Sequence, residues 1–130
     1  MSALGFKNSL GIHPNAMQLR GTRAEVLANN LANADTPNFK ARDFDFNKIL
    51  DGESHRTLQL NVTHETHQRG DVQANEQLQF RNPYQPAIDG NTVDSQMEQA
   101  FYTDNALRYN ASFQFLNRKF TGLKGAIKGE

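Results

Sequence analysis

A chain of 130 residues with 14 basic and 14 acidic side chains and no cysteine has room for one domain, and it excludes disulfides, thiolate metal sites and cysteine nucleophiles. Leu, Ile, Val and Phe supply only 29 residues against 24 Asn and Gln, and mean hydropathy is −0.72, so a thin core and an uncharged surface predict burial completed against other subunits. Zero net charge argues against bulk phosphate binding, no apolar run approaches the roughly 18 residues of a membrane span, and Met1–Lys7 lacks the regions of a cleaved secretory leader. The expectation is a cytosolic protein, or one exported without cleavage.

The first zone, residues 1–35, reads as a main helix from about Pro14 to Ala34 behind a looser start, because proline is best tolerated in a helix's first turn. Leu10, Met17, Ala24, Leu27 and Leu31 form one narrow apolar stripe on it. Thr36 precedes Pro37 and is pushed out of the helical region, so the helix stops there. Thr36-Pro37-Asn38-Phe39 then makes a turn in which Asn38 takes the left-handed conformation.

The middle zone, residues 36–90, is irregular or extended. Leu58, Leu60 and Val62 alternate, as do Val72, Ala74, Leu78 and Phe80, which predicts short strands and one irregular hairpin. Phe46, Ile49 and Leu50 predict a single helical turn, and Asn82–Pro86 an extended stretch.

The last zone, residues 91–130, carries a long helix. Asn91 is expected to N-cap it after an Asp89-Gly90 turn, with Asp94 near the positive end of the dipole. Acids lie early and bases late, as a single helix prefers. Tyr102, Ala106, Tyr109, Phe113, Leu116, Phe120, Leu123 and Ile127 step by alternating four and three residues, while Val93, Met97, Ala100, Leu107 and Ala111 form a second seam, interrupted by Asp104, about 200° away. The N-terminal helix can cover one seam, which leaves the other for partners. The fold class expected is mostly α. Residues 1–35 and 91–130 form one structural domain, their helices paired in coiled-coil fashion, with an extended or small β-hairpin segment between.

No catalytic residue, cofactor site or metal site is read from the chain. His64-Glu65-Thr66-His67, with His55 upstream, lies in apparent strand or loop, where imidazoles three apart point to opposite faces. Arg118, Lys119, Lys124 and Lys128 fit a helix C-terminus better than a nucleic-acid groove. Asn61–Thr63 and Asn110–Ser112 match the glycosylation tripeptide, a pattern frequent by chance. Asn29, Asn30 and Asn33 are either a fraying helix end or amides that bond backbone at a subunit contact. The candidate assembly residues are Leu27, Asn29, Asn30, Leu31, Asn33, Pro37, Phe39, Val93, Met97, Leu107, Tyr109, Phe113, Leu116, Phe120, Leu123 and Ile127.

The run from Leu27 to Phe44, LANNLANADTPNFKARDF, resembles the N-terminal signature shared by the axial proteins of the bacterial flagellum. Within that family, Lys40–Phe44, Asp89–Asp94, Glu98 and Asn105–Tyr109 are most similar to the short proximal rod subunits. The family turn often reads Thr-Pro-Gly-Tyr; Asn38 and Phe39 stand here instead, and Asn is the next-best residue for positive φ. The resemblance implies a structural subunit of the periplasmic rod, exported by the flagellar type III system without a cleaved signal. Its terminal helices would pack around the export channel and transmit torque. The implied partners are copies of itself, rod proteins of the FlgC, FlgF and FlgG types, a FliE-type adaptor and the membrane ring. A small soluble helical adaptor that binds one partner helix is the alternative.

Overall fold

The computed structural model describes residues 9–59, 78–83 and 85–129, with backbone alone over 53–59. Its elements in chain order are α1 (His13–Ala32), β1 (Arg42–Asp43), α2 (Phe46–Gln59), β2 (Gln79–Phe80) and α3 (Ser95–Lys128). The fold is mostly helical, and α1 and α3 pack on one another as an antiparallel pair. Successive contacts fix that direction: Asn30 meets Glu98, Arg20 meets Asn105, His13 stacks on Phe115 at 5.9 Å, and Ser9 meets Lys119.

Local chemistry explains the ends of α1. Gly11 at φ +62° turns the chain before Ile12, and Pro14 occupies the first helical turn, where its missing N–H costs nothing. At the far end the N–H of Phe39 donates to the Thr36 carbonyl across Pro37 and Asn38, with Asn38 at φ +61°. This is the expected turn, with proline setting its first corner and Asn accepting the left-handed second. Helix α3 is N-capped by Asp94, whose carboxylate accepts from the N–H groups of Gln96 and Met97, and it ends at Gly129 at φ +72°. The expected cap, Asn91, has a different task, described below.

The core is small. Ala16 and Leu19 of α1 pack with Phe44, Phe46 and Ile49, flanked by Val26, Leu50 and Leu78. The Phe46–Ile49–Leu50 spacing therefore supports a helix of 14 residues, longer than the single turn expected, because packing on α1 carries it through Asp51 and Gly52. Leu58 lies in that helix and not in a strand; Leu60, Val62, Val72 and Ala74 lie outside the described residues. Strand β2 pairs antiparallel with β1, Arg42 opposite Phe80 and Asp43 opposite Gln79, so its partner is the end of the signature and not a neighbouring hairpin arm.

The faces of the two long helices are rotated from the sequence reading. Ala16, Leu19, Leu27 and Asn30 are the buried positions of α1, whereas Leu10, Met17, Ala24 and Leu31 are half-buried. On α3 the buried positions are Glu98 and Asn105, joined by half-buried Phe101, Ser112, Leu116 and Leu123. Helix α3 is 34 residues long, about 51 Å, against 20 residues and about 30 Å for α1.

Candidate functional site: the polar base and the exposed arm

At the base of the hairpin, polar side chains substitute for a hydrophobic core. The Asn30 amide, 1% exposed, makes a two-way pairing with the backbone of Arg42: its Nδ2 donates to the Arg42 carbonyl at 2.7 Å, and its Oδ1 accepts from the Arg42 N–H at 3.1 Å. The same Nδ2 donates to Glu98 Oε2 at 3.2 Å. One amide from α1 thus fixes the start of β1 and contacts α3. Such buried groups are stabilising only while every partner is present.

Charge completes the arrangement. Arg23 of α1 grips Asp43 bidentately, with Nε and Nη2 at 3.2 and 3.0 Å from its oxygens. Arg81, just after β2, donates to Asp43 Oδ2 at 2.7 Å and to Glu98 Oε1, and its guanidinium lies 4.8 Å over the Phe101 ring. Arg81 therefore ties α3 to β1, and Arg23 continues the tie to α1. Burial pushes the Asp43 carboxyl up, but the hydrogen bonds and charge of Arg23, the Phe44 N–H and Arg81 together outweigh it and hold Asp43 below the usual carboxylate range.

The loop before α3 closes the base. Asn91 is buried, and its Nδ2 faces the carbonyls of Asn33, Ala34 and Thr36 at 2.8 to 2.9 Å. They belong to the C-cap of α1 and the turn that follows it, where the Thr36 and Phe39 N–H groups also donate to the Asn33 and Thr36 carbonyls, so Asn91 ties down the end of α1 from a position 55 to 58 residues away. Its Oδ1 accepts from the Val93 N–H at 2.7 Å and shapes the approach to α3. Asn38 N–H donates to the Asp89 carbonyl at 2.9 Å, and Thr92 N–H to the Phe39 carbonyl at 3.0 Å, lacing the turn to this loop. Gly90, at φ +75°, sits where a Cβ would come within 2.5 Å of Asn38 Oδ1.

The outer flank of α3, which runs on into its distal part, has the opposite character. Tyr102, Tyr109, Phe113, Phe120 and Ile127 are exposed on one flank of the helix, Phe113 by 53% and Ile127 by 76%. Leu107 and Phe115 are exposed on other faces. A single chain leaves this much aromatic surface in water only at an energetic disadvantage, and contiguous patches of this kind mark interaction sites.

The candidate residues of the sequence divide accordingly. Leu27 and Asn30 are used inside the chain. Asn29 and Asn33 bond one another on the surface, Asn33 Nδ2 to Asn29 Oδ1 at 2.8 Å. Leu31, Phe39, Val93, Met97, Leu116 and Leu123 are half-buried, and Pro37, Leu107, Tyr109, Phe113, Phe120 and Ile127 are exposed. Arg23, Asp43, Arg81, Asn91, Glu98 and Asn105 were not among those candidates. One signal was available for Glu98 and Asn105: they stand seven residues apart, in phase with Ser112 and Lys119. His55 has no described side chain and His64–His67 lie outside the described residues, among which no group of His, Asp or Glu is placed to hold a metal. No helix there is long and apolar enough to cross a membrane.

This build defines a helical scaffold: a hairpin closed at its base by buried polar contacts and carrying an exposed aromatic arm. Residues 10–40, which form α1 and the Pro37–Asn38 turn, match the family described as flagella basal body rod protein. A flagellar basal body rod protein FlgB from Aeromonas hydrophila is 45% identical over 130 residues, covering 98% of each chain. The FlgB of Cereibacter sphaeroides (strain ATCC 17029 / ATH 2.4.9) is 42% identical over 97% of this chain and 98% of its own. That of Escherichia coli (strain K12) is 37% identical over 92% and 93%. The chain belongs to the FlgB family of flagellar basal body rod proteins. Its role is structural, in the basal body.

Proposed function

We propose that the chain is a self-assembling subunit of the proximal rod, which encloses the export channel and transmits torque from the membrane ring toward the distal rod. The observation that carries the reading is the aromatic row of α3, Tyr102, Tyr109, Phe113, Phe120 and Ile127, exposed along one flank of a helix that is also about 20 Å longer than α1. Open, heterologous contacts through such a row build helical assemblies. Copies of the chain and rod proteins of the FlgC, FlgF and FlgG types are the partners that would cover it. A FliE-type adaptor and the membrane ring would lie below. Export without cleavage by the flagellar type III system suits a monomer whose core is this small. Torque passes along helices that are fixed internally at the base and held by neighbours along the arm.

The test is complementation of a non-motile strain lacking this protein with a variant carrying Phe113→Ser and Phe120→Ser. The variant is expected to be made and exported but absent from purified basal bodies, leaving the cells non-motile. Normal incorporation and swimming would contradict the proposal.

A further inference from the structure

Arg20 of α1 is half-buried, and among the described residues its side chain has no carboxylate partner. Its Nε is buried without a hydrogen bond. The guanidinium lies 4.0 Å over the ring of buried Phe46, at the start of α2. Stacking of this kind uses one face of the planar group and leaves its N–H edge for a ligand. The neighbouring arginines are each balanced. Arg23 holds Asp43 at 3.0 Å, Arg81 holds Asp43 and Glu98, and Arg108 holds Asp104 at 2.9 Å. Four arginines in this part of the hairpin therefore share three carboxylates, and Arg20 is the one left over.

The surroundings of Arg20 oppose its charge. Burial lowers its pKa most, the charges of Arg108 and then Arg23 lower it further, and Asp104 acts the other way. A guanidinium stays protonated regardless, so the disfavoured charge remains as a destabilisation of the free chain, softened by the solvent that reaches it. The position is also informative. At about 100° per residue, Tyr109 lies about 40° to one side of inward-facing Asn105, and Arg108 about 60° to the other. Arg20 and Arg108 thus stand on the opposite flank of the hairpin from the exposed aromatic row. A helical assembly joins one patch of each subunit to a different patch of the next. Arg108, its side chain 62% exposed, carries the basic patch out to the surface.

We infer that Arg20, with Arg108 at its rim, is a receptor for a carboxylate side chain of a neighbouring subunit, which bonds the free edge of the guanidinium and balances its charge only on assembly. The inference rests on the reading of the chain as a rod subunit. It adds to that reading a second contact, ionic and on the other flank from the aromatic row. A carboxylate matches the N–H fork of arginine with two parallel hydrogen bonds, and the Phe46 ring beneath holds that fork at a set angle.

The test compares the parent full chain with Arg20→Gln and Arg20→Lys, each in isolation and in basal bodies purified from cells that lack the parent. Arg20→Gln removes the charge. It should keep the parent's helical circular dichroism signal and be exported, yet be recovered in basal bodies about tenfold less, the effect of losing a charge-assisted pair. Arg20→Lys keeps the charge and adds a reactive amine. A water-soluble carbodiimide, which joins an amine to a carboxylate in contact with it, should link position 20 to an Asp or Glu of another subunit in basal bodies, and to none in the isolated chain. If one variant does not fold, the other supplies the reading. Loss of the fold in both overturns the inference, because Arg20 would then be a structural residue of the monomer. Parent-level incorporation of Arg20→Gln, a link already present in the isolated Arg20→Lys chain, or no link in the assembled one overturns it as well. Those results leave the rod reading standing, whereas a parent chain missing from basal bodies overturns both.

Discussion

The base of the hairpin and the distal arm of α3 belong to one helix pair but follow opposite rules. At the base, Asn30, Asp43, Arg81, Asn91 and Glu98 find their partners within the chain. Along the arm, Phe113, Phe120 and Ile127 stay in water. A subunit built this way fixes the shape of one end before assembly and leaves the other end to be completed by neighbours. Substitutions at the base should therefore be felt in the isolated chain, and those on the arm only in the assembly.

The contrast can be broken most forcefully at Asn30. Asn30→Ala strips the Arg42 N–H and carbonyl of their partner and removes a donor from Glu98, so a loss of about 3 kcal/mol is expected in urea unfolding of the full chain. Asn91→Ala removes the buried amide that ties the loop to the carbonyls after α1 and the acceptor of the Val93 N–H, and should cost about 2 kcal/mol by the same measurement. Gly90→Ala combines strain at positive φ with a close approach to Asn38 Oδ1, and a loss of about 1–2 kcal/mol is expected. Adding Asn38→Gly should return part of that loss, because it removes the atom in conflict.

Acid sharpens the comparison further. The carboxyl of Asp43 is depressed in the folded chain, so its contribution is present above the unfolded carboxylate pKa of about 3.9 and is lost as pH falls through the lower folded value. Stability should thus drop below about pH 4. Asp43→Asn should be less stable at pH 7, with the gap to the parent narrowing in acid. The smallest effect belongs to the arm: Phe113→Ser with Phe120→Ser should change the isolated chain's stability by no more than about 0.5 kcal/mol.

The long helices and the Pro37–Asn38 turn were legible because they rest on local rules of apolar period, proline geometry and left-handed Asn. Asn91 was misread for a physical reason. An Asn before a helix resembles an N-cap, and nothing local reveals that its amide serves carbonyls 55 to 58 residues earlier. Helix α2 was underestimated because Asp51 and Gly52 weaken its intrinsic propensity, while Phe46 and Ile49 gain their stability from α1. The inward face of α3 was misassigned because apolar periodicity draws attention to Tyr102 and Phe113, whereas the positions turned toward α1 are Glu98 and Asn105. Polar residues at buried positions are invisible to a hydrophobic pattern, although their own seven-residue spacing is present in the chain.

The difference between base and arm is tested most directly by amide hydrogen exchange along α3, in the isolated full chain and in purified rods. Slow exchange from Glu98 to Asn105 in both states is expected, together with fast exchange from Phe113 to Lys128 in the isolated chain that becomes slow in the rod. Uniform protection of α3 in the isolated chain, unchanged on assembly, would contradict the account.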